Sequence, residues 1–195
     1  CYTEKNSKEM ERSYLGLKTS VSFLGNSLYS EDQFKKIESK YLYPGGHKKI
    51  SFVYSGRFIP EKGLPELIQG FAKAKLEIGS GIENLHIIGY GKMLFELQEM
   101  VRDFRLEKDV IFHGEVLEDE KIGEIYRECS AAICCGYLGL NVIQAFAHGL
   151  PMIFRSNAPH SPEVEACVEG FNSHSYESFD QLVELMSSME NILKL

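Results

Sequence analysis

Arg57 and Lys62 lie in one short loop, SGRFIPEKGLP (55–65). The loop follows an apolar run, KISFVYS (49–55), and precedes a helix-like stretch. Two cations between a strand's carboxyl end and a helix N-terminus can clamp a diphosphate, because both helix end and side chains attract anions. The bland alternative is a pair of solvated surface charges, the usual fate of Arg and Lys. A second candidate is GYLGLNVIQAFAHGLPMI (136–153). Gly136 and Gly139 bare the backbone where a strand turns into a helix. The amides of Gly139, Leu140 and Asn141 would then project from the helix start, a common anion site. Asn141, Gln144 and His148 fall at i, i+3 and i+7 and share one face. That face either looks into a site or is simply wet.

Other residues carry weaker signals. GYGK (89–92) holds a lone G-x-G with no third glycine and no acidic partner at dinucleotide spacing. It reads as a tight turn, with close approach of the Gly91 backbone to a ligand as the alternative. His47, His86, His113, His160 and His174 are scattered, and none pairs with a Ser or Cys in a nucleophile motif. No pair of carboxylates has spacing that singles it out for acid–base work. The five cysteines are Cys1, Cys129, Cys134, Cys135 and Cys167. Their odd number and the lack of a C-x-x-C read as reduced thiols of a cytoplasmic protein. No Cys/His spacing fits zinc, so no metal is expected.

These loops need a scaffold, and the sequence between 45 and 155 supplies a regular one. Strand-like runs at 49–55, 84–89, 109–113, 130–135 and 151–154 alternate with helical patterns at 64–75, 93–104, 119–129 and within the 136–153 stretch, after its two glycines. The strand runs are apolar without alternation, as expected when both faces are covered. Strands alternating with helices of this length predict βαβ units. The fold class is α/β, a doubly wound parallel sheet, Rossmann-like. In such sheets ligands sit beyond the carboxyl ends of the strands. Those ends carry Gly56, Arg57 and Lys62, then Gly91, then Gly136 to Gln144.

The flanks differ. Residues 9–18 read as a helix, 19–26 as a strand, 30–42 as a polar helix, and 43–49 as a turn-rich boundary. Residues 1–44 are too few and too polar to build their own core. Residues 157–176 read as loop with a short helix at 162–167, and 178–193 as an amphipathic helix. The chain of 195 residues has a net charge of −7, which argues against general nucleic-acid binding. No apolar stretch approaches the ~20 residues a membrane span needs. The first residue is Cys rather than Met, which reads as a piece of a longer chain.

Four blocks, in order, resemble the retaining GT-B glycosyltransferases of the large family 4. SGRFIPEKGLPELIQGFAKAK resembles their "GR…KG…LI.AF" segment. LHIIGYGKMLFELQEMVRDFRLEKDVIFHGEV is similar to "L.I.G.G…L…L….V.F.G.V". GYLGLNVIQAFAHGLPMI has the layout of "E.FGL…EAMA.G.PVI", and PHSPEVEACVEGFNSHSY that of "..PE.V.DG.NG.L.". TSVSFLGNSLYSEDQ (19–33) resembles the passage from the first domain into the second.

The resemblance implies the C-terminal, donor-binding half of such an enzyme. Residues 45–195 would be the Rossmann-like nucleotide-sugar domain, and 1–44 the tail of the acceptor domain plus linker. The substrate would be a UDP- or GDP-sugar, with no cofactor. An acceptor sugar or lipid-linked glycan would come through the missing N-terminal domain. The whole enzyme would be cytoplasmic, with room for peripheral contact at the inner face of the membrane. Arg57 and Lys62 would contact the donor phosphates together with Gly139, Leu140 and Asn141. Gly56, Gly91 and Gly136 would leave backbone bare along the donor cleft. The family's two Glu, eight positions apart, align with Gly136 and Gln144, so both are replaced here. Gln144 would hold the ribose hydroxyls as an amide in place of a carboxylate. No catalytic base is assigned. A non-catalytic nucleotide-binding module is one alternative, motivated by the missing Glu pair. Another GT-B enzyme, such as a nucleotide-sugar epimerase, is a second.

Overall fold

The computed structural model describes residues 28–40 and 49–192. The helix expected at 9–18, the strand at 19–26 and nearly all of the turn at 43–49 lie outside the described residues. Six strands form one parallel sheet: β1 (Ile50–Ser55), β2 (Ile82–Ile88), β3 (Val110–Gly114), β4 (Ala131–Cys134), β5 (Met152–Arg155) and β6 (Ser173–Tyr176). Their spatial order is β3-β2-β1-β4-β5-β6. The helices are α1 (Glu31–Lys40), α2 (Leu64–Ile78), α3 (Leu94–Asp103), α4 (Asp119–Arg127), α5 (Asn141–Ala147) and α6 (Phe179–Ile192).

The period-2 rule assigns the strand residues to the two faces of the sheet. Phe52, Tyr54, Leu85, Ile87, Ile133 and Ile153 pack with Leu67, Ile68 and Phe71 of α2, Leu97 of α3 and Leu182 and Met186 of α6. Val53, Ala132, Cys134, Met152 and Phe154 point the other way, onto Ile122, Ile125 and Tyr126 of α4 and Val142 and Ala145 of α5. A parallel strand buried on both faces has no polar side to show, which is why these runs do not alternate in sequence. Gly70 sits inside α2, where it costs about 1 kcal/mol of helix propensity. A methyl there would lie 2.9 Å from Leu182, so the glycine admits α6 closely.

The capping residues are legible. Ser30 and Gln33 exchange side-chain-to-amide bonds of 2.9 and 3.3 Å at the start of α1, and Ser178 and Gln181 do the same for α6. These are capping boxes with Gln at the third position. Helix α1 lies within the 1–44 segment. It rests on the domain through Ile37, which is buried, the Gln33–Asp119 bond of 2.9 Å and the Lys36–Glu120 ion pair.

One expectation is corrected. Residues 173–176 are not loop but β6, an edge strand of the sheet, paired with β5 from Met152↔Ser173 to Arg155↔Tyr176. The sequence SHSY has only Tyr as a strong strand former, and an edge strand needs no apolar run. The helix expected at 162–167 is a 3₁₀ turn, Pro162–Ala166. Among the described residues no helix is long and apolar enough to cross a membrane.

Candidate functional site

The order of the strands reverses between β1 and β4. From β1 the chain winds outward to β3, then returns to β4 and winds the other way. The loops leaving β1 and β4 therefore flank the point of reversal, at the carboxyl ends of the strands, which is the usual ligand position in open parallel sheets. Those loops are 56–63 and 135–140, the two that carry the candidate cations and the candidate amides.

They are fastened to each other. The Tyr137 amide donates to the Glu61 carbonyl at 2.7 Å, and Lys62 Nζ donates to the Tyr137 carbonyl at 2.7 Å. The approach is close enough that only bare backbone fits. A methyl on Gly136 would lie 2.1 Å from the Glu61 oxygen, and one on Gly63 would lie 2.7 Å from the Cys135 carbonyl carbon. Gly63 also takes φ +68°, which Gly adopts without penalty. Within the first loop, the Tyr54 hydroxyl donates to the Arg57 carbonyl at 2.9 Å, and a methyl on Gly56 would meet that same hydroxyl at 2.8 Å.

The glycines of GYGK serve a similar contact. Phe58 N–H donates to the Tyr90 carbonyl at 2.8 Å, and a methyl on Gly91 would lie 2.5 Å from the Phe58 oxygen. The bare backbone of Gly91 is thus used by the neighbouring loop. At Gly89, φ +130° and a Cβ position 1.9 Å from the Gly56 oxygen exclude any side chain.

Lys62 is half-buried, and Arg57 is exposed. Burial lowers the Lys62 pKa, the neighbouring Cys134 acts against this, and the Arg57 charge lowers it further. Like-charge repulsion between Lys62 and Arg57 means that an anion placed between them relieves both. The Cys134 thiol is pushed up by burial and donates to the Gly136 and Tyr137 carbonyls at 3.7 and 3.5 Å. Lys62 Nζ also lies 3.9 Å from the Cβ position of Gly139, so the ammonium reaches the turn before α5.

That turn is only partly open. The Gly139 amide donates to Asn141 Oδ1 at 3.0 Å, so the Asn141 side chain caps one of the three candidate amides. The next two, of Leu140 and Asn141, start the helix and have no intrahelical acceptor. Leu138 behind them is fully buried. Its amide donates to His160 Nδ1 at 3.1 Å, and its carbonyl accepts from the Ser161 amide and hydroxyl, both at 3.0 Å.

Gln144 lies on α5, half-buried. The Tyr126 hydroxyl donates to its Oε1 at 3.0 Å, and Tyr126 also bonds Ser55 at the end of β1. A hydrogen bond from Gln144 reaches Tyr29, ahead of α1. The amide thus lies over the β1 end between two tyrosines. His148, expected on the same face, is 1% exposed. Its Nδ1 donates to the Gln144 carbonyl at 2.8 Å, its ring tilts against Tyr126 at 4.7 Å and Tyr29 meets it edge-on at 6.0 Å. That end of the face is covered rather than wet. Burial lowers the His148 pKa, so the ring is neutral.

Tyr29, Tyr126, Tyr137 and His160 are contributors that the sequence did not single out. Tyr137 acts through its carbonyl, which no side-chain pattern announces. His160 stands inside the PHSPE block, and its place there was the available signal. Among the described residues no group of three or more His, Cys, Asp or Glu could hold a metal ion.

The sequence matches the family described as "Glycosyl transferases group 1" over residues 35–193, most of the chain. The chain belongs to that family. Solved structures share the fold. A mutant of S. aureus TarM, in complex with Fondaparinux, alpha-GlcNAc-glycerol and UDP, superposes with TM-score 0.73 at 13% identity, over 97% of this chain and 36% of that one. The lipopolysaccharide outer core galactosyltransferase WaaB gives 0.71 at 19% identity, over 97% and 51%. Anabaena HepE in complex with UDP-glucose gives 0.68 at 16% identity, over 100% and 54%. The group 1 chain thus spans between about a third and a half of these structures and has the fold of roughly the C-terminal half of a GT-B glycosyltransferase. No curated protein matches the sequence.

Proposed function

We propose that this chain is the donor-binding domain of a glycosyltransferase that moves a sugar from a nucleoside diphosphate sugar to an acceptor hydroxyl with retention. The observation that carries the reading is the meeting of Lys62 with the Gly139 turn, with Arg57 on the same loop as Lys62, where the loops leaving β1 and β4 join. As the bond between the sugar and the diphosphate breaks, charge grows on the leaving phosphate. Preorganised cations and amides stabilise that charge without rearranging. Arg57, Lys62 and the amides of Leu140 and Asn141 are the groups for that task, with Gly139 supplying the turn. Gln144 lies at the β1 end, where an amide can accept from one ribose hydroxyl and donate to another. UDP-sugars are the favoured donors over GDP-sugars, since the TarM and HepE complexes contain UDP or UDP-glucose.

Residues 1–44 are assigned to the tail of an acceptor domain and its linker. The acceptor, a sugar or lipid-linked glycan, would be held by that other domain in the cytoplasm. This chain alone is then expected to bind nucleotide and transfer nothing, because attack geometry needs both walls of the cleft. A second reading, a nucleotide-holding module without catalysis, is favoured by Gly136, where the family's Glu has no room beside the Glu61 carbonyl. Turnover of a UDP-sugar by the protein joined to its acceptor half would exclude it.

Calorimetric titration of UDP and uridine, then GDP and guanosine, tests the clamp. Arg57→Ala and Lys62→Ala should each weaken diphosphate binding by about 1.5–3 kcal/mol, roughly 10- to 150-fold, as expected for a charge-assisted bond. Nucleoside binding should stay within about twofold. Equal losses for nucleoside and diphosphate would refute the assignment.

A further inference from the structure

The phosphate-side turn, Leu138–Gly139, is not held by its own loop alone. Leu138 is fully buried, so neither its amide nor its carbonyl can turn to water, and buried backbone groups need partners. The carbonyl is served twice, by the Ser161 amide and hydroxyl. The amide is served by the side chain of His160, at 3.1 Å from Nδ1. The other ring nitrogen, Nε2, faces the Arg155 carbonyl at 2.8 Å. An amide can only donate and a carbonyl can only accept. The ring must therefore accept at Nδ1 and donate at Nε2, which fixes it as the neutral Nε2–H tautomer.

The anchor at the far end is rigid. Arg155 ends β5, its guanidinium pairs with Glu66 in the first turn of α2, and it lies over the Tyr176 ring at 5.4 Å. Phe154 meets the imidazole edge-on at 5.6 Å. His160 thus ties the sheet's β5 end to the turn that presents Gly139 to Lys62.

We propose that His160 is a positioning residue for diphosphate binding. It sets the Leu138–Gly139 turn through its Nδ1 acceptor, and so fixes where that turn stands relative to Lys62, whose Nζ lies 3.9 Å from the Gly139 Cβ position and bonds the Tyr137 carbonyl at 2.7 Å. This inference rests on the donor reading above, and it makes a requirement at one atom. A replacement that keeps an acceptor at the Nδ1 position keeps the turn, whereas one that keeps only the Nε2 donor does not. Asparagine places its Oδ1 near Nδ1, and glutamine places its Nε2 near the imidazole Nε2.

The test is calorimetric titration of the chain with UDP and with uridine. His160→Asn should bind UDP within about threefold of wild type, and His160→Gln and His160→Leu about five- to tenfold more weakly, with uridine unchanged in all three. A wild type that binds neither UDP nor GDP overturns the donor reading and the positioning role with it. A wild type that binds, with His160→Gln as tight as His160→Asn, overturns the positioning role alone. Parallel losses for UDP and uridine mark a purely structural imidazole and overturn it too. If His160→Gln does not fold, nitrogen-15 spectra of the wild-type histidines replace it. His160 should show an unprotonated Nδ1 that shifts when UDP is added, and an Nδ1 insensitive to UDP overturns the proposal.

Discussion

The resemblance of residues 136–144 to a segment with two glutamates invites an obvious repair, Gly136→Glu. The geometry predicts that it fails, and that even Gly136→Ala is damaging. A methyl at 136 would lie 2.1 Å from the Glu61 oxygen, 2.8 Å from the Lys62 carbonyl carbon and 2.9 Å from that of Glu61. All three atoms are backbone, so no rotamer change relieves the clash. The two loops must part by about 1 Å to restore ordinary contact. That stretches the 2.7 Å bond from the Tyr137 amide to Glu61 beyond hydrogen-bond range. Overpacking of this kind costs about 1–3 kcal/mol and the lost bond about 1 more. The total, about 2–4 kcal/mol, corresponds to a fall in Tm of roughly 4–16 °C for a domain of this size. Lys62 moves with the loop, so UDP affinity should fall by about tenfold as well. Calorimetric unfolding of Gly136→Ala measures the first effect and titration with UDP the second. Gly139→Ala is the control for stability, since its methyl would find only ordinary contacts of 3.7–3.9 Å. A Gly136→Ala protein that melts with the wild type, or one no less stable than Gly139→Ala, would refute the account of the two loops.

Gln144→Leu should lower affinity for UDP by about 1 kcal/mol, since one neutral pair of bonds is exchanged, and should abolish discrimination against the 2′-deoxy nucleotide. Gln144→Glu should keep or raise affinity; an unchanged ribose preference in the leucine variant would return Gln144 to a purely structural role beside Tyr126. Acid should destabilise the fold through a different pair. His86 and His113 stack at 5.2 Å with Nδ1 and Nε2 2.9 Å apart, and burial pushes the His86 pKa down to about 4. Its unfolded value is near 6.5, so the unfolded chain takes up the proton first as pH falls, and about 3 kcal/mol is lost between pH ~6.5 and ~4. Chemical denaturation across that range should show a slope that His86→Leu reduces, the part left coming from the other histidines whose pKa burial lowers, His113, His148 and His160; equal slopes in the two proteins would contradict it.

The scaffold was legible because its signals are local. The runs of β1 to β5 are mostly apolar, and those of β1 to β4 are each followed by a helix with buried apolar positions, so a residue's neighbours predict its state. β6 was not legible, since SHSY has no apolar run and is defined by pairing with β5. The candidate site was legible only in the loops that the strands place. Arg57 and Lys62 stand in a loop whose position follows from the strand before it. What fixes them comes from far along the chain: Tyr137 is 75 residues beyond Lys62, and His160 is 22 beyond Leu138. The glycines show the limit most clearly. A bare backbone at 91 and 136 suggested room for a ligand, whereas the room is filled by Phe58 and Glu61. A glycine announces close approach, and only the fold says what approaches.

The same distinction bears on Gln144. A carboxylate at that position would be half-buried and would need donors to replace its water. The Tyr126 hydroxyl already points at Oε1, and Tyr29 hydrogen-bonds the same side chain. An amide satisfies both tyrosines without a buried charge. Glutamine therefore fits the two tyrosines as they stand. Tyr29 precedes α1, whose Gln33 and Lys36 hold the Asp119 and Glu120 end of α4, the helix that carries Tyr126. The segment leading into the domain and the residue over the end of β1 are thus joined through one side chain. The position is not empty: the amide takes its hydrogen bonds from the chain itself, and a ribose would have to share them.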